Sequence, residues 1–258
     1  MIIIGEKING TFKSVGRAID KRDARVLQDL AIKQLDAGAN ILDISTGPGL
    51  DNPAEAMVWM VNVVQDVTDK PLAIDTPIVD VMKAGVEAAK NKVVLNSCTA
   101  IEAKMNALFP LAKEHDAEVI CVTLNEQGIP NEPVQRCELA MQMITKAMEY
   151  EIPTDKLYLD PIILPVGAAQ DQCAKVFETL TMFKTLCEPP PKTIVGLSNI
   201  SNGTKERPLI NRTYLAMLMA YGLDGAILNP LDQDLMAILK TADIIMNKKL
   251  YCDDYLRA

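Results

Sequence analysis

Residues 41–75 read ILDISTGPGLDNPAEAMVWMVNVVQDVTDKPLAID. Two short apolar runs in that stretch, 41–45 and 72–75, flank one longer amphipathic segment. Runs of this kind, rich in β-branched residues, are what strands covered on both faces require. The segment between them, 53–68, opens on Asn52-Pro53, a capping residue followed by the residue best suited to a first helical position. Strand, helix, strand is the reading.

The same alternation repeats outward in both directions. Further strands are expected at 2–8, 93–97, 119–124, 157–161, 193–198 and 226–229. Further helices are expected at 23–37, 78–90, 101–114, 134–150, 169–186, 208–221 and 232–245. In the helix 23–37, Val26, Leu27, Leu30, Ala31 and Leu35 share one face, and Gly38 supplies the stop. Eight strands, each followed by a helix, is the arithmetic of a (β/α)8 TIM barrel, an α/β fold in which residues 1–258 form a single domain. A doubly wound open sheet is the rival. It would bring a glycine-rich turn after the first strand, but Lys7-Ile8-Asn9-Gly10-Thr11 contains one glycine, so the dinucleotide fingerprint fails.

Composition narrows the function. The chain has 258 residues, 49% hydrophobic and 23% charged, ordinary for a folded protein. With 34 acids against 26 bases the net charge is −8, which repels polyphosphate backbones, so no nucleic-acid partner is expected. The first residues lack a basic start and a long apolar run, and no stretch reaches the roughly 18 apolar residues of a membrane span. A cytoplasmic protein without a membrane partner is the expectation. The six cysteines form no Cys-x-x-Cys pair and no Cys/His cluster, so no metal site is expected. The single histidine, His115, follows Glu114 at a helix end and reads as solvated, which removes histidine-based catalysis.

In such barrels the chemistry sits at the C-terminal strand ends. The polar residues there are Glu6 and Asn9, then Asp43, Ser45 and Thr46, then Asp75 and Thr76, then Asn96 and Ser97. Thr123, Asn125, Asp160, Ser198, Asn199 and Asn229 complete the round. Any one of them serves equally as a helix cap or turn former. Three acids at or near the ends of apolar strands are harder to explain that way, because burying a carboxylate without a partner is costly. Carboxylates and carboxamides, with Lys7 the one cation near the first strand, suit a neutral planar heterocycle bearing N–H donors and carbonyl acceptors.

Ile4-Gly5-Glu6-Lys7-Ile8-Asn9-Gly10 resembles the first strand of the pterin-binding barrel family. That family includes methyltetrahydrofolate:corrinoid protein methyltransferases, the folate module of cobalamin-dependent methionine synthase, and dihydropteroate synthase. Leu72-Ala73-Ile74-Asp75, Leu95-Asn96-Ser97, Tyr158-Leu159-Asp160-Pro161 and Gly196-Leu197-Ser198-Asn199 are similar to the methyltransferase branch, and Arg207-Pro208-Leu209-Ile210-Asn211-Arg212-Thr213 is the most specific match. The resemblance implies methyl transfer between tetrahydrofolate, or 5-methyltetrahydrofolate, and the cobalt of a corrinoid. In it Asp75, Asn96 and Asp160 hold the pterin, and Asn199 approaches the methyl-bearing nitrogen, with Asp160 and Asp75 as its catalytic companions. It also implies that Glu6, Asp43, Gly196, Ser198 and Asn202 belong to the substrate site and that Arg207 lies near the p-aminobenzoyl-glutamate tail. Asn202 stands where the family carries a longer glutamine.

The chemistry agrees: a carboxylate accepts two N–H bonds from an aminopyrimidinone, and an arginine suits a carboxylate-bearing tail. No Asp-x-His-x-x-Gly motif occurs, so the corrinoid is expected on a separate protein. The resemblance also implies a homodimer. A dihydropteroate synthase-like enzyme and a non-catalytic folate-binding protein remain as alternatives.

Overall fold

The computed structural model describes residues 1–257, and within them the chain closes into a parallel barrel. Its strands are β1 (Ile2–Asn9), β2 (Ile41–Ser45), β3 (Leu72–Asp75), β4 (Val93–Thr99), β5 (Glu118–Val122), β6 (Leu157–Asp160), β7 (Lys192–Gly196) and β8 (Gly225–Leu228). Each pairs with the next, and β8 returns to β1 through Ile2↔Gly225 to Gly5↔Leu228. The helices are α1 (Lys13–Lys21), α2 (Ala24–Asp36), α3 (Pro53–Gln65), α4 (Val79–Ala88), α5 (Glu102–Glu114), α6 (Pro133–Glu149), α7 (Gln170–Phe183), α8 (Arg207–Ala220) and α9 (Gln233–Ile245). No helix among the described residues is long and apolar enough to cross a membrane.

The barrel is the expected one, with local differences that have local causes. Helix α1 was not expected; its buried face is Val15, Ala18 and Ile19, too short a pattern to stand out in the sequence. Strand β6 stops at Asp160 because Pro161 has no N–H to continue a ladder. Strand β7 stops at Gly196, two residues short of the expected end, and 197–201 wind into a 3-10 helix. Ser198 and Asn199 therefore sit on a tight helical turn instead of on a strand.

Two apolar layers hold the barrel. One lies between strands and helices; the other fills the lumen with Ile4, Ile41, Ala73, Val94, Ile120, Tyr158 and Ile194, flanked by Ile227. Side chains alternate along a strand, so the residues two positions further on also face inward. Those residues are Glu6, Asp43, Asp75, Asn96, Val122, Asp160, Gly196 and Asn229. The apolar floor thus carries a predominantly polar ring.

Below the floor, Tyr158 donates its hydroxyl to Glu118 at 2.9 Å, and Lys192 bonds the same carboxylate at 2.6 Å. Asp224 is held by Lys184 and by the Thr193 backbone N–H at 2.7 Å.

Candidate active site

The first strand reaches the mouth by a bulge. Gly5 pairs with Leu42 and Ile8 with Ile44, so β1 carries one residue more than β2 over that interval. The extra residue turns Ile8 outward into the helix-facing core and lets both Glu6 and Asn9 face the mouth. A bulge frees a backbone donor, and Gln34, fully buried on α2, accepts it: Lys7 N donates to Oε1 at 2.9 Å. A second irregularity, between Asn96 and Cys98 on β4, leaves Asn96 inward and turns Cys98 toward the helices. Burial pushes the Cys98 thiol up to about 12, so it supplies no thiolate.

The loops after β1 and β2 meet backbone to backbone. A Cβ on Gly10 would lie 2.0 Å from the Thr46 carbonyl oxygen, so only glycine fits there. This contact fixes the spacing of Asn9 and Ser45, whose side chains line the same cavity.

The acids of the ring carry few partners. Asn96 Nδ2 donates to Asp43 Oδ1 at 2.9 Å, and both residues are buried. Burial, with the nearby Asp75 carboxylate adding to it, raises the Asp43 carboxyl well above the usual range. Asp75 is raised by burial, partly offset by a hydrogen bond from Ser45. Glu6 is also raised by burial, against a 2.8 Å hydrogen bond donated by the Ser198 hydroxyl. Asp160 retains some solvent contact while protein crowds its carboxyl, and burial pushes it up to about 7. Its Oδ1 accepts the Ile162 N–H at 2.7 Å. Ile162 has φ 63°, a left-handed conformation that a β-branched residue adopts only under constraint, so the turn aiming Asp160 is strained. Carboxyls with little compensation, gathered at the mouth of a barrel, mark a functional site.

Two cavities open above the ring. One, about 510 Å³, is bounded by Ser45, Gly47, Asp75 and Thr76; the other, about 500 Å³, by Glu6, Lys7, Ser198, Asn199, Asn202, Arg207 and Asn229. Asn9 and Thr11 form the wall they share. Asn211 lines the second cavity, and its Oδ1 is buried without a partner.

Residues 5–229 match the model of the family described as pterin binding enzymes. This chain belongs to that family.

The pterin binding enzyme is 30% identical to the methylcorrinoid:tetrahydrofolate methyltransferase of Eubacterium limosum, over the whole of this chain and 96% of that one. It is 26% identical to the methionine synthase of Mycobacterium leprae over 89% of this chain, and there it spans only 20% of the relative's length. Among solved structures, a dihydropteroate synthase from Xanthomonas albilineans with 4-aminobenzoic acid superposes with a TM-score of 0.68 at 16% identity, covering 97% of this chain and 93% of that one. At that identity the likeness is one of fold.

The expected site residues fall into groups in this pterin binding enzyme. Asp43 and Asn96 bond each other, with Asp75 close enough to act on Asp43. Glu6 and Ser198 bond across the barrel from β1 to the turn after β7. Arg207 is exposed and braces that turn: Nε donates to Ser201 Oγ at 3.1 Å, and Nη2 donates to Asn202 Oδ1 at 3.0 Å and to the Ser198 carbonyl at 3.3 Å. Asn199 is exposed on the same turn, its Oδ1 accepting from Asn202 at 3.5 Å. Gly196 lies under it, where a Cβ would stand 3.0 Å from Asn199 Nδ2. Asp160 bonds none of the others. Sequence reading missed Gln34 and the strained Ile162. The Asp160-Pro161 dipeptide was a signal for the second, since it favours a turn; nothing on α2 signalled the first.

Proposed function

We propose that this enzyme moves a methyl group between a pterin nitrogen of tetrahydrofolate and the cobalt of a corrinoid carried by a separate protein, in either direction. One observation carries the reading. The full-length relative named for this reaction shares the chain from end to end, and the mouth here pairs buried carboxyls with a neutral carboxamide, Asn199, where a pyrophosphate-releasing enzyme would want a cation. The raised acids fit a folate: an aminopyrimidinone edge brings several N–H donors, which favour ionised carboxylates and offset the cost of burying them. Asp75, Asn96 and Asp160 take that edge, over the apolar floor. Glu6, Asp43, Ser198 and Asn202 shape the remainder of the site, and Gly196 lets the Asn199 carboxamide lie close against the strand end.

A tertiary amine leaves badly from carbon unless its nitrogen is protonated or strongly hydrogen-bonded. Asn199 supplies that hydrogen bond where charge develops. Arg207 holds the turn that carries Asn199 and offers a cation to the carboxylate-bearing tail. The corrinoid supplies the methyl acceptor or donor, and its protein docks over the mouth.

Residues 1–258 act as one unit, the enzyme works in the cytoplasm, and it assembles as a homodimer, a state supported by the family resemblance and measurable by light scattering. The direct test of the reaction is methyl transfer from 5-methyltetrahydrofolate to free cob(I)alamin, followed in the visible spectrum. A protein that binds tetrahydrofolate but transfers no methyl group is a binding protein instead.

A further inference from the structure

Asp160 stands apart in the ring. Beside it are Val122 of β5 and Gly196 of β7, neither of which offers a polar side chain. Beyond the ring, on α6, lies a buried cation. Arg136, in the first turn of α6, is fully buried. Its Nε donates to the Pro130 carbonyl at 3.0 Å and its Nη2 to Gln172 Oε1 at 2.7 Å, while Nη1 is buried with no partner. Every acceptor it touches is neutral. A buried cation without a counter-ion is expensive, so something at longer range compensates it.

Three groups act electrostatically on the guanidinium: Tyr214 of α8, Asp160 of β6 and Glu132, the residue that caps α6 itself. Tyr214 of α8 is raised by burial, and its hydroxyl is engaged by the Cys173 carbonyl at 2.9 Å. Glu132, before α6, is paired with Lys175 at 2.7 Å. Asp160 is the third, and it has no ion pair of its own; the charge that acts on it is that of Arg136. Chain geometry ties the two together: Val122 of β5 pairs with Asp160 of β6, Thr123 donates its N–H and its hydroxyl to the Asp160 carbonyl at 3.0 Å, and the loop after Thr123 passes Pro130, whose carbonyl Arg136 holds, before α6 begins at Pro133.

We propose that Arg136 is a positioning residue for Asp160, a fixed positive charge behind the β5–β6 rim that lets Asp160 meet the pterin as a carboxylate. The proposal rests on the folate reading of the site. It gives α6 and α7 a part in pterin binding although neither reaches the mouth: Gln172 orients the guanidinium without neutralising it. The strained Ile162 turn sets the direction of the carboxyl, and Arg136 sets its charge.

The sharpest variant is Gln172→Glu. It matches glutamine in shape and keeps the acceptor for Nη2; it loses the Nε2 donor that bonds Asp171 Oδ2 at 2.9 Å, and it adds a negative charge that opposes the field of the guanidinium. Tetrahydrofolate affinity is measured by calorimetry from about pH 5.5 to about pH 9 on wild type, Gln172→Glu, Arg136→Gln, Arg136→Lys and Asp160→Asn. In wild type, affinity falls below the Asp160 midpoint, and Asp160→Asn removes that inflection. In Gln172→Glu and Arg136→Gln the midpoint rises by about one pH unit, read as roughly tenfold weaker binding near pH 6 that recovers at high pH. Arg136→Lys keeps the midpoint. A purely structural Arg136 gives a different pattern: Arg136→Gln lowers affinity equally at all pH values and Gln172→Glu leaves the midpoint unmoved. That result overturns the proposal while the folate reading stands. Wild-type protein that binds no tetrahydrofolate at any pH overturns both. If Arg136→Gln does not fold, Gln172→Glu decides alone.

Discussion

The two ends of the barrel use the same residue types to opposite effect. At the floor, Glu118 is held by Lys192 and Tyr158, and Asp224 by Lys184 and Thr193. At the mouth, Glu6, Asp43, Asp75 and Asp160 form no ion pair; Lys7 and Arg207 act on Glu6 and Arg136 on Asp160 only from a distance, and burial raises all four carboxyls. Satisfied charge at the lower end holds strands in register; unsatisfied charge at the upper end is a standing cost that a ligand with N–H donors removes. In a barrel, stability and function are separated along the strand axis.

The largest effect that tests this division is catalytic. Asn199→Ala should lower single-turnover methyl transfer to cob(I)alamin by about a hundred- to thousandfold, the cost of a lost transition-state hydrogen bond. Folate affinity and melting temperature should stay near wild type, and both directions of transfer should fall together because they share one transition state. If rate and stability decline modestly together, Asn199 is only a turn former.

Next comes the exchange of roles between the ends. Asp75→Ala, Asn96→Ala and Asp160→Ala should each weaken tetrahydrofolate binding by about 1–3 kcal/mol. Glu118→Gln should lower unfolding free energy by about 1–3 kcal/mol with folate affinity unchanged. A Glu118→Gln variant that lost affinity as readily as stability would break the comparison.

The third test is pH. Asp160 is raised to about 7 in the folded protein, so its proton favours the folded state at low pH. The group's contribution is fully present below its unfolded value near 4 and is lost as pH rises through about 7. Asp43, Asp75 and Glu6 act in the same direction. Scanning calorimetry of the ligand-free protein should show stability falling from pH 5 to pH 8, with a shallower fall in Asp160→Asn. Saturating tetrahydrofolate should flatten the slope, because it binds the ionised form.

Much of this was legible in the sequence because parallel strands announce themselves. Residues 41–45 and 72–75 were read with the bounds they have, as buried β-branched runs closed by a polar residue. The acids at those ends were legible for the same reason: a carboxylate after an apolar run has few structural excuses. What escaped was geometry that periodicity does not encode. A bulge shifts the register of β1 without altering its composition: Glu6 and Asn9 are both legible at the strand end, but why residues three apart face one mouth is visible only in the fold. The 3-10 turn at 197–201 follows directly on the apolar run 194–197, so the sequence reading carries the strand on to 198. Gln34 and Arg136 act from helices, and a polar residue on a helix is ordinarily solvated; only tertiary packing shows both to be fully buried.

The smallest expected effect is the most discriminating for the turn after β7. Gly196 has φ −80° and ψ 89°, a conformation open to any residue, so Gly196→Ala introduces no backbone strain. Restricting the unfolded chain should stabilise the protein by about 0.4–1 kcal/mol. The new Cβ, however, would lie 3.0 Å from Asn199 Nδ2, closer than an amide nitrogen tolerates, and the Asn199 carboxamide must give by a few tenths of an ångström. Arg207 holds the turn itself through its bonds to Ser201, Asn202 and the Ser198 carbonyl, so the side chain takes up the shift. A carboxamide displaced so slightly loses hydrogen-bond alignment without losing contact, so methyl transfer should slow several-fold, far less than in Asn199→Ala. Folate affinity should hold, since Asp75, Asn96 and Asp160 are untouched. Combining Gly196→Ala with Asn199→Ala gives the check: with the amide gone the added methyl group has nothing to displace, and the double variant should transfer at the rate of Asn199→Ala alone. A further drop in the double variant would mean that Gly196 serves the ring itself, as the space a flat heterocycle occupies, and not the placement of Asn199.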